Sequence, residues 1–465
     1  MTESKHGVVI VGGGTAGISA AAELAQLGIK SVVIDEAPRI GGPVFRGPFR
    51  EAISLPHLDD NLCQKIADIR ELYQKNQQYI ELRLNTRVLG PSGESALLAR
   101  HQDEIFEIPY EQLIVATGCH ERSVPFDGWQ IPGVMLLGGV QLQLKSGLVK
   151  PGQRMAVVGT GPLLPLVATQ LHKAGVVVTG VFEAGKFSNF AKESRAFLNR
   201  PMLTLEGMGL LTYLKTNGIP MHYGMGIVSA SGEDSLTGIT VAQYDQDWYP
   251  VKGTEKSLDV DCLAVGYGFV SRNQLTQLLN IAHENCQISG LKPLVDDWQH
   301  SSRPDVYIAG DSVGILGGEA AMMEGRLAAL SIAKQQDILS LEQAQDKAKP
   351  YKNLLNKVKA FRAGFDRIGR RREGLLSLLT PDTIVCRCEN VTRAQIDEVI
   401  EQGVKDITSL KMRTRAGMGD CQGKTCNSYC QDRLRFELKQ LDVGEIKPRF
   451  PLDPVPFSSL YKEVL

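Results

Sequence analysis

Five cysteines crowd one stretch near the C-terminus: Cys386-Arg387-Cys388, then Cys421 and Cys426 with four residues between them, then Cys430. Thiolates in a C-x-C and a C-x4-C pair, brought together by the 32 residues that separate the pairs, supply four soft ligands. Such a set suits zinc or an iron–sulfur cluster, and spacing by itself leaves the two comparable. Cys430 is the spare thiol. Gly417, Gly419 and Gly423 stand around the ligands, where bare backbone lets N–H groups reach the sulfurs and tune a redox potential. Cys63, Cys119, Cys262 and Cys286 are scattered as small core residues are, and nine thiols are an odd number for a disulfide scaffold.

A second constellation lies at the other end of the chain. The apolar run Val8-Val9-Ile10-Val11 enters G-x-G-x-x-G at Gly12, Gly14 and Gly17, and an alanine-rich helical pattern leaves it. A second apolar run, Ser31-Val32-Val33-Ile34, ends on Asp35-Glu36. Strand, glycine turn, helix, strand and acid make the full context of a dinucleotide site. Gly12 permits the tight turn, Gly14 lets the backbone approach a pyrophosphate, and Gly17 lets helix pack on strand. The helix N-terminus at Thr15 and Ala16 offers free N–H groups and partial positive charge to phosphates, and Asp35 or Glu36 would accept from ribose hydroxyls. Further along, four features can pass close to the same cofactor: Gly42 and Arg46 in the Gly/Pro-rich loop 41–48, the turn Ala116-Thr117-Gly118 after an apolar strand, and Gly310-Asp311 before a helix expected at about 319–334. Asp311 is expected on a polyol hydroxyl, with that helix N-terminus facing a flavin ring.

The glycine unit recurs. Gly159 and Gly161 follow another apolar strand, and Glu183 lies 24 residues beyond Gly159, against 23 from Gly12 to Asp35. The copy is imperfect. Leu164 replaces the third glycine and Pro162 sits in the turn, which makes pyrophosphate approach less certain. Glu183 would favour NAD over NADP if a nucleotide binds; the alternative is a retained scaffold whose site is lost or altered.

The elements that carry these residues are those of a large α/β chain. At 465 residues it should form two to four domains, and 43% hydrophobic residues permit sizeable cores. A net charge of −1 gives no reason to expect nucleic acid or strong membrane attraction. The longest uncharged runs, 128–144 and 155–171, are cut by Gly and Pro and make poor membrane spans. Glu3 and the three glycines argue against an export signal, so a cytoplasmic protein is expected. Between Lys347 and Arg372 stand ten Lys/Arg and one acid, Asp366, with Leu354, Val358, Phe361, Phe365 and Ile368 at helical spacing. That amphipathic helix either packs on its own protein or docks on an acidic partner or the inner face of the cell membrane. A Pro-rich tail after 441 should be extended and lie on a partner.

At this point the chain resembles known families. Gly12–Gly17, Ala116-Thr117-Gly118, the degenerate second loop and Ala309-Gly310-Asp311 resemble the two-dinucleotide-domain, glutathione-reductase-like flavoproteins over roughly 1–340. Cys386-Arg387-Cys388-Glu389-Asn390-Val391-Thr392, with 417–423 and Cys426, resembles the bacterioferritin-associated-ferredoxin-like [2Fe–2S] domain. Its C-x4-C matches the version appended to anaerobic glycerol-3-phosphate dehydrogenase and to multisubunit amino-acid dehydrogenases. Segments 120–126, Gly128-Trp129, Pro132-Gly133-Val134 and 159–166 are similar to the large electron-transfer subunit of heteromeric imino- and amino-acid dehydrogenases. That family includes opine oxidases, D-hydroxyproline dehydrogenases and hydrogen cyanide synthase; overall length and segment 46–51 are most like the last.

The resemblance implies a discontinuous FAD-binding domain (1–120 and 251–340), a degenerate NAD-type domain (121–250), a basic helical linker (341–378), a [2Fe–2S] domain (379–440) and a tail (441–465). It implies FAD and a [2Fe–2S] cluster, the latter preferred over zinc because a flavin has use for a one-electron relay. It leaves room for an FMN at a subunit interface. A separate flavin subunit would oxidise the C–N bond of the substrate, a small ferredoxin-like subunit would complete the complex, and a quinone or carrier would take the electrons. The rival expectation is a self-contained NADH-dependent reductase, which needs the second loop to work. A disulfide reductase is disfavoured, since no paired cysteines follow Gly41-Gly42 and no C-x-x-C stands in the second unit.

Overall fold

In a computed structural model, which describes residues 6–47, 57 and 60–460, the chain builds two parallel sheets in succession. The first unit opens with β1 (His6–Val11), α1 (Thr15–Gln26) and β2 (Ser31–Ile34), followed by β3 (Ile80–Arg83), β4 (Thr86–Pro91), β5 (Ala96–His101) and β6 (Glu104–Val115). β1 and β2 are almost wholly buried, which is why they read as unbroken apolar runs instead of alternating ones. The parallel core runs β3-β2-β1-β6, and Val306–Ile308 pairs with the C-terminal half of β6. The N-terminal half of β6 instead turns antiparallel against β5, which pairs with β4. α1 packs against the helix Gly318–Gln335, one residue longer at each end than expected.

The second sheet orders Met221–Tyr223, Val177–Glu183, Arg154–Gly159, Cys262–Gly266 and Val134–Leu136, all parallel. A bulge between Val178 and Gly180 inserts the single extra residue of the repeat, so Gly159 still stands opposite Glu183. The strand Cys262–Gly266 corrects the sequence boundary at 251: it pairs with Arg154–Gly159 in the second sheet, and Lys256–Asp259 pairs with Gly238–Gln243 of the same unit, so 251–266 goes with the second unit and not with the first. An apolar run ending in glycine looks alike in either sheet, and only its neighbours decide. Cys119–Glu121 and Phe269–Ser271 pair antiparallel at the double crossing between the units.

The basic segment is a helix, Leu341–Ile368, started by a Ser340/Gln343 capping box. Leu355, Val358, Phe361 and Ile368 are buried, Phe365 packs on Phe197, and Arg367 pairs with Glu193 at 2.5 Å. It packs on its own protein. The turn Glu373–Leu378 then leads into Ile384–Cys386, Val391–Thr392 and three helices, Arg393–Glu401, Ile407–Thr414 and Asn427–Leu438. These share one apolar core with the second sheet unit. At the seam the Trp129 indole donates to the Ile384 carbonyl at 2.8 Å, Arg387 lies over its ring, and Arg371 pairs with Asp432.

The tail is a second correction. Its described part lies on its own chain: Leu452 N–H donates to Leu89 at 2.8 Å, Phe450 covers Gly90, and Asp453 accepts from Lys424 at 3.0 Å. Proline-rich composition announces extension but not what the extended chain lies on. Among the described residues, no helix is long and apolar enough to cross a membrane.

Candidate functional site: a flavin cavity beside a cysteine quartet

A cavity of about 1890 Å³ runs between the two sheets. Of the expected cofactor residues, Gly12, Gly14, Thr15, Ala16, Asp35, Glu36, Gly42, Arg46, Ala116, Thr117, Gly118, Gly161, Gly310 and Asp311 line it. Gly17 and Gly159 do not. They act one step behind: a Cβ on Gly17 would stand 1.8 Å from the Gly12 carbonyl oxygen, and one on Gly159 would stand 1.9 Å from that of Gly266. Gly14 differs, since its Cβ would meet only the Gly42 Cα at 3.8 Å. Gly14 and Gly42 thus form a floor of bare backbone beside the start of α1, the shape a pyrophosphate needs.

Asp35 is part of the turn it was expected to serve. Its carboxylate accepts from Gly13 N–H at 2.6 Å and Ala37 N–H at 2.7 Å, one bond to each oxygen. Each oxygen keeps a further lone pair for a ribose hydroxyl. Burial raises its pKa, with the two amides working against that. Burial also pushes Glu36 upward, but Arg272 at 3.0 Å and Arg87 at 3.2 Å hold it below the usual carboxylate range. The Arg46 Nε is buried and unpartnered beside the cavity, as a donor awaiting an anionic group would be. Segment 48–51, which carries the rest of that sequence marker, lies outside the described residues.

At the opposite wall the Asp311 Oδ1 accepts from the Leu316 and Gly317 amides, each at 3.1 Å, and the Cys119 thiol donates to Oδ2 at 3.6 Å. This fixes the loop into the helix Gly318–Gln335 and sets its N-terminus at the cavity. Gly118 N–H donates to Ser312 Oγ at 2.8 Å, and Thr117 Oγ1 to the Arg272 carbonyl at 2.7 Å. Two contributors carried no sequence signal. Lys145 donates to the Pro43 and Val44 carbonyls, each at 2.7 Å, and its burial brings its pKa down to about 8. Glu324 accepts from Gly310 N–H at 2.8 Å.

The second loop has turned inward. Glu183 accepts from Thr160 Oγ1 at 2.7 Å and from the Gly161 and Gly185 amides at 2.8 Å each; burial raises its pKa to about 7. Gly161 therefore spends its N–H on the loop's own acid, Pro162 has none to offer, and Leu164 is buried in the local core. The residues that would grip a dinucleotide are largely engaged with one another.

The four expected metal ligands fall into two touching pairs, Cys386 with Cys426 and Cys388 with Cys421. The first pair is buried; in the second, Cys388 is exposed and Cys421 partly so. The Gly417 and Glu389 amides reach the Cys386 sulfur, and the Cys421 amide reaches that of Cys388. A Cβ on Gly419 would stand 2.3 Å from that of Cys388, so glycine is needed there to close the site. Among the described residues no three His, Cys, Asp or Glu side chains converge as a single-ion site. Two touching pairs of thiols are a ligand set that a two-iron cluster can take, with four cysteines in all. Cys430 is buried against Cys426.

The two sites adjoin. His120, on the strand Cys119–Glu121, lines the flavin cavity and faces the backbone of Lys424, which lies between Cys421 and Cys426. Its burial brings the imidazole pKa down to about 4, with nearby Arg272 and Arg122 adding to the effect.

The family model of the pyridine nucleotide-disulphide oxidoreductases matches residues 6–336, and that of the BFD-like [2Fe-2S] binding domain matches residues 384–435. Hydrogen cyanide synthase subunit HcnB of Pseudomonas protegens is 49% identical over 452 residues, 97% of this chain and 96% of that one. The chain belongs to the HcnB family, on the pyridine nucleotide-disulphide oxidoreductase fold. A subunit of the opine oxidase of Rhizobium meliloti is similar at 28% identity, over 98% of this chain and 87% of its own. The solved L-proline dehydrogenase from P. horikoshii shares the fold, with a TM-score of 0.70 at 19% identity, over 98% of this chain and 79% of that one. As an HcnB-family protein the chain is an oxidoreductase subunit that uses FAD and a [2Fe–2S] cluster, and it works in a heteromeric complex.

Proposed function

We propose that this chain is the electron-transfer subunit of a multisubunit amino-acid dehydrogenase of the hydrogen cyanide synthase type. A partner flavin subunit would oxidise the C–N bond of glycine to hydrogen cyanide and CO2, and this chain would receive the electrons. A small ferredoxin-like subunit, together with a quinone or carrier reached at the membrane's inner face, would complete the route. The observation that carries the reading is His120, which lines the flavin cavity and abuts the backbone of Lys424 in the Cys421–Cys426 loop.

When bound, FAD accepts electrons in pairs and releases them singly, and the [2Fe–2S] cluster takes one at a time. The protein's part is placement. Gly14, Gly42 and the start of α1 receive the pyrophosphate, Asp35 the ribose, Arg46 an anionic group and Asp311 a polyol hydroxyl. Cys386 and Cys426 bind from the buried side, Cys388 and Cys421 from the exposed side. The amides of Gly417, Glu389 and Cys421 reach the sulfurs and stabilise their negative charge, a lever on reduction potential. Glu183, Pro162 and Leu164 weigh against the self-contained NADH reductase.

The test is to purify the complex through a tag on this chain and add candidate donors anaerobically. Glycine should bleach both flavin and cluster absorbance, while stoichiometric NADH should bleach neither in the isolated chain. Bleaching by an opine or by hydroxyproline, with glycine inert, would move the protein to the opine oxidase or D-hydroxyproline dehydrogenase type. Rapid bleaching by NADH would overturn the relay reading.

A further inference from the structure

The helix Pro201–Thr216 breaks the rule that a surface helix turns its charges outward. Glu206 and Lys215 are its charged residues, and Leu214 is its buried one. Met202, Leu203, Leu205 and Met208 on the helix, with Phe187 and Leu198 ahead of it, are 40–76% exposed. The helix is held firmly in this pose. Pro201 starts it, Thr204 Oγ1 donates to the Phe197 and Arg200 carbonyls, and His172 meets the Tyr213 hydroxyl at 2.9 Å. Arg200 pairs with Glu319 at 2.7 Å, which ties this end to the start of the helix Gly318–Gln335.

Taking about 200 Å² for each such side chain, the six together expose roughly 700 Å² of apolar surface. That exceeds the few hundred Å² usual for one patch on a monomer and approaches the roughly 800 Å² that each partner brings to a stable interface. Position selects the occupant. Met202, Leu203 and Met208 also line the flavin cavity, so whatever covers this face sits at the edge of that cavity. The charges on the helix itself are Glu206 and Lys215, so its outer face lacks the cluster of basic residues that an anionic lipid surface recruits.

We propose that Phe187, Leu198 and the outer face of the helix Pro201–Thr216 are the docking surface for the substrate-oxidising flavin subunit. The proposal rests on the relay function above. Leu198 and Leu205 do not line the cavity, so the double variant Leu198→Glu/Leu205→Glu should keep its FAD and cluster absorbance and its thermal midpoint. The probe is the flavin subunit that co-purifies with the tagged full-length chain and is bleached by its amino acid. The expected result is binding of that subunit weakened at least tenfold in the double variant. Unchanged binding would overturn the docking surface while leaving the relay function standing. A wild-type self-dimer that the variant breaks would assign the face to a second copy instead. Binding to phosphatidylglycerol vesicles that the variant loses would assign it to lipid; either result overturns the proposal. If no amino-acid-oxidising flavin protein co-purifies with the wild-type chain, the relay function falls, and the docking surface with it.

Discussion

At the scale of single residues, the glycines of the first loop separate into two kinds, and substitution should tell them apart. A side chain on Gly14 points into open space above Gly42, whereas one on Gly17 collides with backbone. Gly14→Val should therefore give a folded protein that keeps its cluster absorbance but carries no flavin, and Gly17→Val an insoluble one. A yellow, soluble Gly14→Val protein would deny Gly14 its place under the pyrophosphate. Glu324 makes a different prediction. Burial lifts its pKa to about 8, with the Gly310 amide opposing and Asp311 adding to the rise. The native state thus holds a proton that the unfolded chain releases near the ordinary value of 4.5. The associated stability is complete below that value and is lost as pH rises through about 8. Glu324→Gln keeps an acceptor for Gly310 and removes the titration. Its thermal stability should fall less than the wild type's between pH 5 and pH 9, a gap of up to about 4 kcal/mol. Parallel melting curves would show that Glu324 does not change its protonation there.

At the scale of elements, the cluster domain sets Cys386 at the end of the strand Ile384–Cys386, Cys388 in the turn after it, Cys421 and Cys426 in the turn before the helix Asn427–Leu438, and Cys430 in the first turn of that helix. Cys388→Ser should leave flavin bound and abolish the paramagnetic signal of the reduced cluster, while Cys430→Ser should keep both. An unaltered signal in Cys388→Ser would remove that residue from the ligand set. How legible an element was depended on whether its chemistry was local. The loop Gly12–Gly17, the cysteine spacings and the start of the helix Gly318–Gln335 rest on sterics and caps within a few residues, and they stand where the sequence puts them. The strand Cys262–Gly266 was misplaced because a buried apolar strand carries no mark of which sheet it joins. Glu183 shows the same limit: its position in the repeat was readable, but its inward turn onto Thr160, Gly161 and Gly185 depends on the fold around it. The apolar residues of the helix Pro201–Thr216 carry no sequence mark of their exposure, which only the fold reveals.

At the scale of the whole molecule, charged contacts join the two cofactor sites through the tail: Lys424 to Asp453 at 3.0 Å, Asp453 to Arg87 at 3.9 Å, and Arg87 to Glu36 at 3.2 Å. Each pair is partly exposed and worth little alone. The backbone bond to Leu89 and the cover over Gly90 make the set a strap. Ending the chain after Lys447 should leave far-ultraviolet dichroism intact but speed FAD loss on dialysis severalfold and shorten the cluster's lifetime in air. Unchanged rates for both would reduce the strap to surface decoration. The same arrangement bears on how the protein is made. The ribosome delivers β1 and α1 well before their partners, since their sheet waits for Val306–Ile308 and their cavity for Leu452 and Asp453. The nascent chain must hold its opening strands through most of translation without their final neighbours. Flavin retention is accordingly shared between segments far apart in the sequence, and a substitution at Asp453 would be felt at Arg87 and Glu36 beside the N-terminal glycines.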